Sequence, residues 1–314
     1  MPVQTDILAK LPNQSRVAII RLRSLGDCIL LTPAIQVLHH ARPDLRIGVV
    51  VEDRFADVFR GNAAIAEVLQ PEVRAVRAFG PSLCLNLHGG SRSARLTMLS
   101  GAEIRAGLDI FRPALVYNTL IPTAQQILGI TRRVHTAEHM ASTVFYLGVE
   151  ATWIPRAFVP APEGRSPHAP AAAYAVFHPL AATPEKTWPA ASFVEAAEFA
   201  SKNMGLEPVF IGGPGEDLSA FSQWRVVSGA QLREVAQLMR DASLFLGNDS
   251  GPAHLAAAFG LPLVALFGPS DAEIWSPWRT VGKVIKAEGP ISDIPVADVI
   301  RGLERVYSVQ EANR

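Results

Sequence analysis

The sequence holds only two cysteines, Cys28 and Cys84, both in apolar surroundings and without metal-ligand spacing. Two such residues build no disulfide framework; they read as reduced core residues of a cytoplasmic protein. Long apolar runs are missing. No stretch approaches the roughly 20 apolar residues of a membrane span, so any membrane association is expected to be peripheral. The start of the chain lacks a basic segment followed by an apolar run, and no signal peptide is expected. An excess of one charge is also missing. Formal net charge is +0, from 29 basic and 29 acidic residues, which argues against a general nucleic-acid binder. There is no complete G-x-G-x-x-G, no G-x-x-x-x-G-K-[ST] and no G-x-S-x-G. Asp-x-Asp, the pair that would hold a metal against a diphosphate, is absent too. Diphosphate handling would then fall to backbone N–H groups, a lysine and helix ends, with no metal.

What is present is 314 residues, 49% hydrophobic and 18% charged, enough for two domains of about 150 residues. Short apolar runs alternate with loops and helix-compatible stretches. Strands are expected over 17–20, 47–51, 83–87, 174–177, 208–211 and 263–267, with another edge near Val68 and Leu69 and a short apolar run over 243–246. Helices are expected over 28–40, 54–60, 91–99, 136–147, 189–203, 232–240, 253–259 and 296–307. Pro33 either starts its helix or kinks it. Such alternation marks an α/β fold with open parallel sheets. Between 155 and 170 the chain turns rich in Pro and Ala, the best domain linker. The expected domains are 1–160 and 161–314, two doubly wound halves with a cleft between them, because ligands bind at the carboxyl ends of such strands. The last helix is free to pack back on the first domain. Charge divides unevenly: 17 Lys/Arg against 12 Asp/Glu through Pro160 leaves 12 against 17 of the 29 and 29. In the first half every cation but Lys10 is arginine. Either this is scatter, or the first half meets an anionic partner.

The stretch over 246–270, LGNDSGPAHLAAAFGLPLVALFGPS, organises the second half. Gly247-Asn248-Asp249-Ser250-Gly251 breaks a strand with turn and cap residues, and Pro252 suits a first helical position. A turn of this kind presents open N–H groups and the positive helix end beside Asp249 and His254, which suits a nucleotide's phosphates and ribose. Lys186 stands just before a helix and is either solvated or turned to the same ligand. Glu216 follows Gly212-Gly213-Pro214-Gly215, where it can accept from ribose hydroxyls. In the first half Asp27 follows Ser24-Leu25-Gly26. It either caps the next helix or serves as a general base towards a sugar hydroxyl. His135-Thr136-Ala137-Glu138-His139 spells H-x-x-E-H, a zinc-peptidase pattern without an obvious third ligand, or simply a half-buried helix.

These pieces resemble glycosyltransferase family 9, the ADP-heptose:lipopolysaccharide heptosyltransferases. The likeness rests on RLRSLGDCILLTPAIQVL, LHGGSRSA, HPLAATPEKTWP and GNDSGPAHLAAAFGLPLVALFGPS, in that order. It implies a GT-B fold of two Rossmann-like domains and metal-independent, inverting transfer with no cofactor beyond the ADP-heptose donor. By position, Asp27 matches the family's general base and Lys186 the lysine that neutralises the donor diphosphate. Asp249, Ser250, Gly251 and His254 match the nucleotide-holding turn, with Ser250 where many members have Thr. Glu216 matches the acid on the donor ribose. Arg92, with Arg23 assisting, falls where a phosphorylated glycolipid acceptor is held. Two departures stand out: Asn86 where many members have Asp, and a short stretch over 218–230. The rival expectations are a GT-B-type nucleotide-sugar epimerase and a non-catalytic nucleotide-sugar-binding relative. The first-half basic loops would serve little purpose in an epimerase.

Overall fold

In the computed structural model, which describes residues 4–312, the chain divides into two compact units, Met1–Pro160 and Ala161–Arg314. The boundary falls inside the Pro/Ala-rich stretch.

The first unit is built on strands β1 (Arg16–Ile20), β2 (Arg46–Val50), β3 (Glu67–Leu69), β4 (Leu83–Asn86), β5 (Ile104–Leu108) and β6 (Thr119–Ile121). They pair in parallel in the order β3-β2-β1-β4-β5-β6. Val17 to Ile20 are all buried, so both faces of the strand are covered, which explains why the run shows no apolar–polar alternation. The helix after β1 runs over Leu25–Ala41 and continues through Pro33. Proline offers no N–H to the carbonyl of Ile29, one turn back. The Thr32 hydroxyl donates to that carbonyl instead, at 2.7 Å, and accepts from the Phe158 N–H at 2.9 Å. The helix therefore starts eight residues before its proline rather than at it. The helix Thr136–Tyr146 packs against it.

The second unit repeats the plan with β7 (Tyr174–His178), β8 (Glu207–Gly212), β9 (Arg225–Ser228), β10 (Leu244–Asn248), β11 (Leu263–Phe267) and β12 (Gly282–Lys286). Read from β9, the order is β9-β8-β7-β10-β11-β12, the same as in the first unit. Aromatic rings fill the space under β7 and β8. Phe210 stacks on Phe177 at 5.0 Å and on Phe221 at 4.2 Å, and the Trp188 ring meets Phe193 edge-on at 5.1 Å. The closing helix, Val296–Ala312, lies on β11, on β12 and on the helix Ala190–Met204, all within its own unit.

One expectation is corrected, and the helical reading of the H-x-x-E-H run holds. Residues 54–60 do not form an α-helix; a 3₁₀ segment, Asp53–Val58, takes their place. The H-x-x-E-H run is a helix start. His135 Nδ1 accepts from the Ala137 N–H at 3.1 Å, and Glu138 accepts from the His135 N–H at 3.2 Å. This is a capping box in which histidine stands in for serine. Glu138 also pairs with Arg132 at 2.6 Å, so the pattern is accounted for by the backbone and a neighbouring cation.

Candidate active site

A doubly wound sheet reverses its order at one place, and the loops leaving its strands there are splayed apart. The reversal lies between β7 and β10 in the second unit, and between β1 and β4 in the first.

In the second unit, neighbouring strands deliver the expected donor residues from three loops. After β10, Asp249 donates its N–H to the Leu266 carbonyl at 2.9 Å. After β7, the 3₁₀ turn Pro184–Lys186 brings Lys186 Nζ to 3.2 Å from Asp249 Oδ2. Lys186 keeps 34% of its side chain exposed while Asp249 keeps 11%, so the lysine forms the solvent-facing half of the pair. The approach depends on Gly268. A β-carbon there would stand 2.8 Å from the Glu185 carbonyl oxygen, a backbone atom, so the turn itself would have to shift.

Behind this pair lies an anchor of buried polar groups. Asn248, fully buried, accepts from the Trp188 N–H at 3.1 Å and donates to the Pro179 carbonyl at 2.9 Å. The Trp188 indole donates to the Ile294 carbonyl at 3.0 Å. One asparagine thus ties the end of β10 to both ends of the loop that carries Lys186.

Ser250 sits at the N-cap of the helix Gly251–Phe259, but its hydroxyl does not cap that helix. It lies 3.0 Å from both His178 Nδ1 and the Asn248 carbonyl. Burial pushes His178 down to about 4, so its imidazole is neutral at pH 7. With the serine turned back, the N-cap side chain leaves the first turn uncapped. The helix start, with its partial positive charge, follows directly on Asp249, the partner of Lys186. His254 is buried on the same turn. Glu216, on the loop after β8, is exposed. Its Oε2 accepts from the Gly213 N–H at 2.6 Å, which folds the carboxylate over its own glycine turn.

In the first unit, Asp27 lies in the first turn of the helix Leu25–Ala41, yet its partners are side chains. Arg21 Nη2 stands 2.5 Å from Asp27 Oδ2, and the Ser24 hydroxyl donates to the same oxygen at 3.0 Å. No side chain caps this helix either. Arg21 also donates to the Leu87 carbonyl, linking the loops after β1 and β4. Asp27 Oδ1, Arg21 Nε and His88 Nδ1 are buried and without a hydrogen-bond partner. His88 is held below its ordinary value, first by burial and then by the charges of Arg21 and Arg23. Arg92 reaches Glu52, at the end of β2, at 3.0 Å, and Arg23 is exposed. The acids and bases expected in each half therefore gather at the carboxyl ends of that half's own strands.

Asn86 closes β4 and shapes the next turn. It accepts from the His88 and Gly89 N–H groups at 3.0 and 3.2 Å and donates to Ser93 Oγ and the Tyr117 hydroxyl at 3.1 and 2.9 Å. All of its hydrogen-bonding capacity is used inside the protein. Arg21, Asn86, His88, His178 and Asn248 were not among the expected site residues. A polar residue at the last position of an otherwise apolar strand, as at Asn86, His178 and Asn248, was the available signal.

The family model and the curated relatives point to one family. The model of glycosyltransferase family 9 (heptosyltransferase) matches residues 73–292. Lipopolysaccharide heptosyltransferase 3 of Escherichia coli is 31% identical over 161 residues, 42% of this chain and 46% of that protein. Lipopolysaccharide heptosyltransferase 1 of Salmonella typhimurium is 26% identical over 291 residues, 82% of this chain and 89% of that protein. The chain thus aligns with about half the length of the first relative and most of the second. Among solved structures, E. coli ADP-heptose lipopolysaccharide heptosyltransferase II superposes with a TM-score of 0.77 at 20% identity, covering 94% of this chain and 99% of that one. The fold is the GT-B fold of two Rossmann-like units.

Proposed function

The chain belongs to glycosyltransferase family 9 and is a nucleotide-sugar-dependent glycosyltransferase, and from that premise we propose that it moves a heptose from ADP-heptose to a sugar of the lipopolysaccharide core. The observation that carries this reading is the Lys186–Asp249 pair set against a helix start from which Ser250 has withdrawn its cap. A lysine and an open helix end suit the charge that builds on a departing nucleoside diphosphate. Preorganised donors of this kind commonly lower a reaction barrier more than any other single effect. Glu216 and His254 would hold the nucleoside side of the donor.

The acceptor hydroxyl would lose its proton to Asp27 as its oxygen attacks the anomeric carbon. The bond from that carbon to the diphosphate oxygen breaks, and ADP leaves with the bonding pair. Inversion follows from a single displacement. No metal is required in this scheme, because the positive charge on the leaving group comes from Lys186 and backbone N–H groups. Arg23 and Arg92 would face the phosphorylated acceptor glycolipid. Among the described residues no helix is long and apolar enough to cross a membrane. We place the enzyme at the cytoplasmic membrane face as a peripheral protein, where donor and lipid-borne acceptor meet.

Calorimetric titration with ADP, UDP and GDP, with and without magnesium, tests the donor half. ADP preference that needs no magnesium supports the reading; UDP preference refutes it. Transfer to heptose-deficient lipopolysaccharide tests the acceptor half. There Asp27→Ala should abolish turnover, with ADP affinity within about twofold of wild type. Unchanged turnover removes Asp27 from the mechanism.

A further inference from the structure

The loops assigned above leave part of the first unit's positive charge unused. Arg16 opens β1 and Arg46 opens β2, at the amino ends of the strands and so at the opposite edge of the sheet from Asp27. The two residues are partners in register, and adjacent strands lie only about 4.8 Å apart. Two guanidinium groups therefore start from neighbouring positions on one face, an arrangement that is unfavourable unless an anion answers it. Among the described residues neither forms an ion pair, and both are exposed. The carboxylate nearest in sequence to Arg46, Asp44, is already taken. Arg42 holds it with two hydrogen bonds of 2.7 Å each.

Around these arginines is a concave pocket of about 260 Å³ lined by Gln14, Ser15, Arg16, Arg46, Gly80 and Ser82. It offers two guanidinium groups, two hydroxyls and an amide, and no carboxylate. Gly80 lies in the left-handed region at φ 63°, and a β-carbon there would stand 3.2 Å from Arg16 Nη1. Glycine leaves the guanidinium its reach. Arg77, three residues earlier, is also exposed and forms no ion pair among the described residues.

We propose that this pocket is an anion site for a phosphate-class group, distinct from the donor turn and from the loops around Asp27. Its chemistry is that of forked guanidinium donors on phosphate oxygens, backed by serine hydroxyls. The phosphate is carried either by a small solute or by a lipid headgroup. The proposal does not rest on the transferase reading.

The test follows the backbone amide signals of Ser15, Arg16, Arg46, Gly80 and Ser82 while inorganic phosphate is titrated at constant ionic strength, with ADP present to occupy the donor turn. Saturable shifts at these amides are expected. Arg16→Gln and Arg46→Gln should each weaken them about tenfold or more, the ratio supplied by one charge-assisted hydrogen bond. Both side chains are exposed, so the variants should keep the wild-type melting transition. A parallel flotation measurement uses vesicles of phosphatidylcholine with and without phosphatidylglycerol. Flotation that needs phosphatidylglycerol and both arginines, without saturable phosphate shifts, assigns the site to lipid headgroups. Shifts with phosphate but no flotation assign it to a solute. Failure of both arms, or binding that survives in the double variant, overturns the proposal.

Discussion

Lys186 Nζ lies 3.2 Å from Asp249 Oδ2 across 63 residues of chain, and the contact joins the loops after β7 and β10. Lys186 is a third exposed and the aspartate nearly covered, so the ion pair itself adds little stability. Its effect should appear in binding. Lys186→Ala should weaken ADP affinity by roughly 10- to 100-fold, the range of one or two charge-assisted contacts, and leave the melting temperature close to wild type. Calorimetry on the two proteins measures it. Equal affinities would show that the lysine points its charge elsewhere.

Gly268 should matter although it bears no side chain. A β-carbon there meets the Glu185 carbonyl at 2.8 Å, so Gly268→Ala must displace the turn that carries Lys186. Overpacking of this kind costs about 1–3 kcal/mol. The variant should combine that loss in urea denaturation with a nucleotide affinity reduced in the same direction as Lys186→Ala. Wild-type ADP affinity in a destabilised Gly268→Ala protein would separate the two.

Acid should destabilise the second unit through His178. Its folded value is near 4 against 6.5 for a free imidazole. The unfolded chain then binds a proton that the folded one refuses, so stability falls as pH drops from about 6.5 towards 4 and levels off below that. A shift of this size corresponds to roughly 3 kcal/mol across the window. Urea midpoints measured at half-unit intervals should show the slope, and His178→Gln should flatten it. An identical slope in the variant would assign the acid sensitivity to other groups.

Asn86 predicts a structural loss. Asn86→Leu removes the acceptor for two backbone N–H groups and the donor to Ser93 and Tyr117. Buried groups left unpaired cost about 1–3 kcal/mol each. Unfolding free energy should therefore drop by at least about 2 kcal/mol, with ADP affinity unchanged because the contacts lie wholly in the first unit. A stability change below about 0.5 kcal/mol would show that water replaces them.

The inner strands were legible because burial on both faces leaves a continuous apolar run, as in Val17–Ala18–Ile19–Ile20 or Leu263 to Phe267. The outer strands were not. β12 reads GKVIK and β9 reads RVVS, largely exposed sequences whose charges discourage edge pairing and also hide the strand signal. β5 carries Arg105 and Gly107 inside IRAGL, and β6 has three residues. Among site residues, Lys186 and Asp249 stood out through the motifs around them. Asn248 and His178 did not, because their roles exist only through partners 60 to 72 residues away. Arg21 read as one arginine among many until the fold placed it on Asp27.

The repeated strand order has a further consequence for how such a protein can diversify. Each set of charged loops hangs from its own sheet: Arg21, Asp27, His88 and Arg92 from the first, Lys186, Glu216 and Asp249 from the second. Substitutions in the loops after β1, β2 and β4 need not disturb the register of β7, β8 and β10. If the two loop sets hold donor and acceptor as proposed, selection can rewrite one while inheriting the other unchanged, so that a lineage of enzymes could share one activated sugar and differ in where they put it.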